Sequence, residues 1–267
     1  MGGNTLVFIT GASKGFGRAI IVALIDVFDD AEYILISRDD EGLKASKSLI
    51  GSKRPNAVVS TYSIDLSDLK SLEGGLDGVF KNLSTSTLTC TYLFNNAGSL
   101  GPLTRAEKLC SPSSSLRDIQ SAIDLNVTST ISLTARFLAT FQTCEKVRVV
   151  NVSSLAALQS FDSWSVYCAG KAARDMFFAT VAHEAEIREG KDSKRLKTLN
   201  YAPGPMDTDM QQAIREDMND VPLRKTFDEM HSKGELVDPV ASASAMVDLL
   251  VADQYVNGSH VDYYDIR

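Results

Sequence analysis

The sequence predicts an α/β fold, a doubly wound parallel sheet with helices on both faces. Short apolar runs bounded by turn residues alternate with segments of helical spacing along nearly the whole chain. No internal repeat or linker interrupts that alternation. The chain has 267 residues and 44% hydrophobic content, enough for one full core. We therefore expect a single domain over residues 1–267.

Leu6-Val7-Phe8-Ile9 is an apolar run between polar residues and reads as the first buried strand. Residues 18–28 follow with Ile20, Ile21, Leu24, Ile25 and Phe28 at helical spacing. A second strand (33–36), a second helix (41–50), a third strand (57–64) and a third helix (69–83) repeat the unit. The fourth strand, 89–94, ends at Asn95-Asn96-Ala97-Gly98. Residues 110–115, a serine run holding Pro112, read as a loop. Residues 116–141 read as one long helix with Asn126 in its middle. A fifth strand (146–152), a helix (167–188), a charged turn (189–194) and a sixth strand (196–200) come next, closed by Pro203-Gly204-Pro205. The polar, helix-prone stretch 206–233 is expected to be a lid. A helix over 242–251 and a strand over 259–264 complete the pattern. In a sheet built this way ligands sit beyond the carboxyl ends of the strands, so the residues just after each strand are the candidates for function.

Composition narrows the classes. The net charge is −7, and an acidic surface repels phosphate backbones, which argues against nucleic acid as a partner. Cys90, Cys110, Cys144 and Cys168 form no C-x-x-C pair, and the three histidines are scattered, so no metal site is expected. No apolar run is long enough to span a bilayer. The opening Met1-Gly2-Gly3-Asn4-Thr5-Leu6 lacks the apolar stretch of a signal peptide, and Leu6 breaks the myristoylation pattern. A cytoplasmic protein is expected, in which the glycosylation patterns at Asn82, Asn126 and Asn151 carry no meaning.

Thr10-Gly11-Ala12-Ser13-Lys14-Gly15-Phe16-Gly17 follows the first strand and opens the first helix. Glycines there let the backbone approach a pyrophosphate, and the helix N-terminus offers free N–H groups to it. Arg38 comes first after the second strand, where an enzyme using NADH wants a carboxylate for the ribose hydroxyls. Arg38 and Lys14 together suit a 2′-phosphate, which points to NADPH/NADP+. Asp39 follows at once and is kept as a further cofactor contact. Asp65 and Leu66 end the third strand, where the adenine would lie. Asn95, Ala97 and Gly98 end the fourth and permit close passage of the cofactor.

Tyr167 and Lys171 are four residues apart at a helix start, so they share a face. A lysine beside a tyrosine is expected to lower the phenol's pKa, so that the hydroxyl can protonate a carbonyl oxygen. Ser154 follows the fifth strand and can hydrogen-bond that same oxygen. Asn126 could hold a water linking Lys171 to solvent. Tyr-x-x-x-Lys alone is common on helix surfaces; with the serine and the upstream glycine loop it becomes specific.

Taken together, the glycine loop, Asn95-Asn-Ala-Gly98, Asn126, Ser154, Tyr167, Lys171 and Pro203-Gly204 resemble the short-chain dehydrogenase/reductase family, in order and over nearly the whole chain. That resemblance implies a Rossmann-like single domain that reduces carbonyls. Longer blocks resemble its sepiapterin reductase branch: Ser153 to Gln159, Tyr167 to Met176, Asn200 to Gln212 and Gly258 to Asp265. The branch implies a pterin with a carbonyl side chain as substrate, in tetrahydrobiopterin synthesis. It implies Asp262 as the pterin anchor, and a carboxylate can accept both donors of a pterin edge; Asp262 could instead only cap the last strand. By the same resemblance Ser154, Leu155, Tyr167 and Gly204 contact the carbonyl end, and Trp164 and Met206 line the pocket. Pro203, Gly204, Met206, Asp207, Thr208, Asp209, Met210 and Gln211 would pass over the nicotinamide and phosphates, with Tyr167 and Lys171 also touching the cofactor. The resemblance further implies a homodimer through the helices of Asn126 and Tyr167. The serine-rich 110–115 and the charged 189–194 depart from the pattern. Two alternatives stay open: a general reductase of dicarbonyls that ignores Asp262, and a non-catalytic NADPH-binding sensor.

Overall fold

The computed structural model describes residues 4–81, 83, 88–110, 115–217 and 220–267. The opening Met1-Gly2-Gly3, the glycosylation-pattern Asn82, the serine-rich 111–114 and lid positions 218–219 lie outside the described residues.

Seven parallel strands form one sheet: β1 (Asn4–Thr10), β2 (Ala31–Ser37), β3 (Val59–Ser63), β4 (Leu88–Asn95), β5 (Lys146–Val152), β6 (Leu196–Ala202) and β7 (His260–Asp262), in the order β3-β2-β1-β4-β5-β6-β7. The chain winds outward from β1 to β3, returns beside β1 as β4, and winds the other way to β7. The reversal puts helices on both faces and opens a crevice at the β1–β4 border. Phe8 pairs with Ile34 on one side and Leu93 on the other. Because both faces are covered, β1 reads as a continuous apolar run, and Val7, Phe8 and Ile9 are all fully buried.

Alternate strand residues serve opposite cores. Val7, Ile9 and Leu35 pack with α1 (Gly15–Val27), α2 (Asp40–Lys53) and α9 (Pro239–Ala252). Leu6, Phe8 and Ile36 pack with α3 (Leu69–Phe80), α5 (Ser129–Thr140) and α6 (Ser165–Glu189). On that second face Phe8 meets Phe137 edge-on at 5.2 Å. A smaller third cluster joins Leu100, Ala156, Trp164, Tyr167 and Ile214 above the carboxyl edge of the sheet.

Two elements differ from expectation. The helix over 116–141 is three segments: α4 (Leu116–Ile123), a π-helical turn (Asp124–Thr128) and α5. The wide turn accommodates an extra residue and carries Asn126 inward, where it is buried. The last strand stops at Asp262. Its carboxylate accepts the Tyr264 N–H at 2.9 Å, and Asp265 accepts the Asp262 N–H at 3.0 Å, which starts a short 3₁₀ turn. Residues 206–233 fold as α7 (Asp209–Asp217) and α8 (Val221–Ser232), and Met206 bridges Val237 at their base.

Candidate active site

A cleft of about 610 Å³ opens beyond the carboxyl ends of the strands, at the crevice the winding reversal creates. Its cofactor end is the turn after β1. Gly11 and Gly15 take left-handed backbone, φ 65 and φ 54. A Cβ on Gly17 would collide with the Gly11 carbonyl oxygen. Thr10 Oγ1 accepts the N–H groups of Asn96 and Ala97 at 3.0 Å, and Asn96 Nδ2 donates to the Thr10 carbonyl at 2.9 Å. The loops after β1 and β4 are thus bolted together. The N-terminus of α1 has no side-chain cap and no acidic residue in its first turn. Its N–H groups and positive potential face the cleft, a fit for a pyrophosphate.

Gly11, Ser13, Lys14, Gly15, Phe16, Arg38, Asp65, Leu66, Ala97 and Gly98 line this end. Hydrogen bonds from the Ser67 side chain and backbone hold the Asp65 carboxyl below its ordinary range, and Arg38 adds to the effect. Several expected contacts are placed differently. Ala12 and Gly17 lie buried beneath the loop. Asp39 caps α2 by accepting the Gly42 N–H at 3.0 Å and does not line the cleft. Asn95 turns into the core, donating to Thr134 Oγ1 at 3.0 Å. Asp207 faces Arg215 and His231 instead of the cleft. Lys14 makes a 2.5 Å ion pair with Asp209 of α7, so the loop cation is engaged with the lid helix. Arg18, to which sequence reasoning gave no role, bonds the Ser13 carbonyl and Ser46 Oγ and fastens the loop to α2.

The other end holds Ser154, just after β5, and Tyr167 and Lys171 on successive turns of α6. Ser154 lies beside the Tyr167 hydroxyl and pulls its pKa down, and Ser154 Oγ accepts the Ala156 N–H at 3.2 Å. Lys171 Nζ donates to the Val152 carbonyl at 2.7 Å and lies 5.5 Å from the Tyr167 ring centre. Both side chains are buried. The expected lowering of the phenol by Lys171 is not found. Burial pushes the Tyr167 hydroxyl up to about 12, against the opposing pull of Ser154 and of the Arg174 charge. Lys171 is itself pushed well below its ordinary value by burial and by Arg174, which weakens it as a source of positive charge.

Arg174 is the residue sequence reasoning missed here. It is fully buried, with Nε on Asn151 Oδ1 at 2.6 Å, one Nη on the Ala97 carbonyl at 3.0 Å and the other on the Asn95 carbonyl. A signal existed: 167, 171, 174 and 178 form one helical stripe, and an arginine in the stripe that buries Phe178 needs partners. Asn126 accepts the Ser99 N–H at 3.0 Å and donates to the Ser99 carbonyl at 2.9 Å. One bond at each end of its side chain braces the turn after β4.

Leu155, Trp164, Pro203, Gly204, Met206 and Asp262 line the far end, with Thr208, Asp209, Met210 and Gln211 of the lid base above them. Trp164 is edge-on to Tyr167 at 5.5 Å and stacked on Phe227 of α8 at 6.1 Å. Phe227 and Ile214 are further lining residues that the sequence did not single out, because nothing in the lid's helical pattern separates an inward from an outward aromatic. One oxygen of Asp262 caps the 3₁₀ turn, yet the side chain still lines the cleft. Among the described residues no group of three or more His, Cys, Asp or Glu could hold a metal, and no helix is long and apolar enough to cross a membrane.

A glycine-rich turn fit for a pyrophosphate and a Ser–Tyr–Lys group, its tyrosine and lysine buried, facing one cleft define a nicotinamide-dependent reductase. The chain matches the family model for short chain dehydrogenase over residues 5–219 and belongs to that family. It is 37% identical to sepiapterin reductase of Xenopus laevis, over 98% of this chain and 97% of the relative. It is 30% identical to a benzil reductase ((S)-benzoin forming) of Bacillus subtilis, over 92% and 93%. Among solved structures it is similar to a short chain dehydrogenase/reductase of Saccharomyces cerevisiae, with TM-score 0.78 and 26% identity over 98% of this chain and 96% of that one.

Proposed function

We propose that this protein reduces a carbonyl on the side chain of a pterin, with NADPH as reductant, in the manner of the sepiapterin reductases it resembles over its whole length. The observation that carries the reading is that Asp262 lines the same cleft as Ser154 and Tyr167. A carboxylate at that end suits the two-donor edge of a pterin. Bound NADPH supplies the hydride that reaches the carbonyl carbon. Tyr167 gives the proton that the carbonyl oxygen needs, and Ser154 holds that oxygen by a hydrogen bond. Lys171, with one donor on Val152, has a further N–H for the ribose hydroxyls. Arg38 takes the 2′-phosphate. Trp164, Leu155 and Met206 cover the flat heterocycle and keep water out. Tetrahydrobiopterin synthesis is the setting this activity fits, and we read the protein as a cytoplasmic homodimer. Exposed Met176 and Ile187 on α6 and Ile131 on α5 supply an apolar face for pairing.

The similarity to a benzil reductase and the apolar lining favour a second reading, reduction of apolar diketones without use of Asp262. NADPH oxidation decides between them, measured with sepiapterin and with a simple diketone. We expect Asp262→Ala to lower the ratio of sepiapterin to diketone kcat/KM on the order of 10-fold or more, the loss of a bond to a charged group. A parent enzyme that reduces diketones and ignores sepiapterin would put the second reading in its place. No turnover with either would leave an NADPH-binding sensor.

A further inference from the structure

The catalytic helix and the strand that carries Asp262 are joined directly. His260 Nδ1 lies 2.6 Å from Asp175 Oδ2, and both side chains are mostly buried. Asp175 follows Lys171 by four residues and Tyr167 by eight, so it continues the face of α6 that holds the chemistry. Its other oxygen accepts Ser153 Oγ at 2.6 Å and Asn151 Nδ2 at 2.9 Å. Ser153 is the neighbour of Ser154. One carboxylate therefore touches the segment bearing Ser154, the helix bearing Tyr167, and the strand bearing Asp262.

On the strand side, His260 and Asp262 are two apart in β7 and share a face of the sheet. β7 needs holding. It is an edge strand of three residues in register with Asn200, Tyr201 and Ala202 of β6, and the bonds that Gly258 and Ser259 make to Thr198 and Asn200 hold only its entry, not the Asp262 end. A strand so short is weakly fixed in position by its ladder alone. A shift of β7 along its neighbour would carry Asp262 away from Ser154 and Tyr167, and about 1 Å of misplacement at a reacting centre can cost on the order of 100-fold.

We propose that Asp175 and His260 are positioning residues that set the distance between the substrate-anchoring carboxylate and the proton-donating tyrosine. The pair touches neither substrate nor cofactor; it acts through Asp262 and through α6. This rests on the reading of Asp262 as the substrate anchor.

The experiment is a double-mutant cycle on the intact enzyme, with NADPH oxidation followed on sepiapterin and on a simple diketone. His260→Ala should raise the sepiapterin KM and lower the sepiapterin-to-diketone ratio of kcat/KM on the order of 10-fold. His260→Asn, whose amide can donate to Asp175 from the place of the ring nitrogen, should recover most of that loss. His260→Ala combined with Asp262→Ala should affect sepiapterin turnover no more than Asp262→Ala alone, because His260 stands on the Asp262 strand and bears on the substrate through that carboxylate. Equal losses on both substrates, no rescue by asparagine, or additive effects in the double variant would each overturn the proposal and leave a merely structural bond. If His260→Ala fails to fold, His260→Leu, which fills the site and cannot donate to Asp175, takes its place in the same comparison. An Asp262→Ala enzyme with unchanged sepiapterin KM overturns the anchor itself and the positioning role with it; a raised KM there, with none for His260→Ala, overturns the positioning role alone.

Discussion

Tyr167 sets the behaviour at the scale of single residues. Burial pushes its hydroxyl up to about 12, so the proton is held throughout the neutral range. In the proposed reduction that proton is consumed, and the protonated form is the active one. The sign is therefore clear: activity persists while the phenol stays protonated and is lost as pH rises through its pKa. Carbonyl reduction should keep a flat kcat/KM across neutrality and decline only above the ordinary tyrosine value of about 10. A pH profile with an alkaline limb centred near about 8 would show that bound cofactor reverses the effect of burial. The Tyr167–Lys171 spacing was legible in the sequence, because a four-residue interval on a helix is a local rule. The charge balance around it was not. Arg174 and the depth of burial decide which way the phenol moves, and both depend on Asn95, Ala97 and Asn151 arriving from other strands.

At the scale of elements, the turn from β1 into α1 is the most constrained piece of the molecule. A methyl group on Gly17 has nowhere to go except into the Gly11 carbonyl and the Asn96 amide. Gly17→Ala should weaken NADPH binding at least 10-fold, on the order of the 1.4 kcal/mol that corresponds to that ratio, as read by titration calorimetry. Equal affinity in the variant would mean that the loop relaxes freely. The glycine spacing announces this turn without any structure, since few other arrangements require three small residues between a strand and a helix. The π-helical turn at Asn126 gives no such signal. An inserted residue leaves the apolar pattern of 116–141 nearly intact, and only the two bonds to Ser99 reveal why the helix widens there. The end of β7 lies between these cases: Asp262 and Asp265 have the spacing of a capping box, which a reading by alternation alone passes over.

At the scale of the whole molecule, alternating strands and helices gave away the layers, and with right-handed crossovers helices can cover both faces of an open sheet only where the winding reverses. Contacts across long separations were beyond reach. Lys14 and Asp209 are 195 residues apart, and Asp175 and His260 are 85 apart. No periodicity relates such pairs, so only the closed fold shows them. The outer face of α6 makes its own forecast about assembly. Met176 and Ile187 are 68% and 73% exposed, three turns apart on one side of the helix. Sedimentation equilibrium should return twice the 29.0 kDa chain mass, and Met176→Glu with Ile187→Glu should return the single chain. A parent that is monomeric at micromolar concentration sinks the homodimer. The protein also contains one tryptophan, Trp164, and the fold seats it between the lid's Phe227 and the phenol of Tyr167. The molecule thus carries its single indole at its working centre. Emission excited at the red edge, where tyrosine does not absorb, reports on one place alone, so a stopped-flow trace can follow the lid and the filling of the cleft with no background from any other indole.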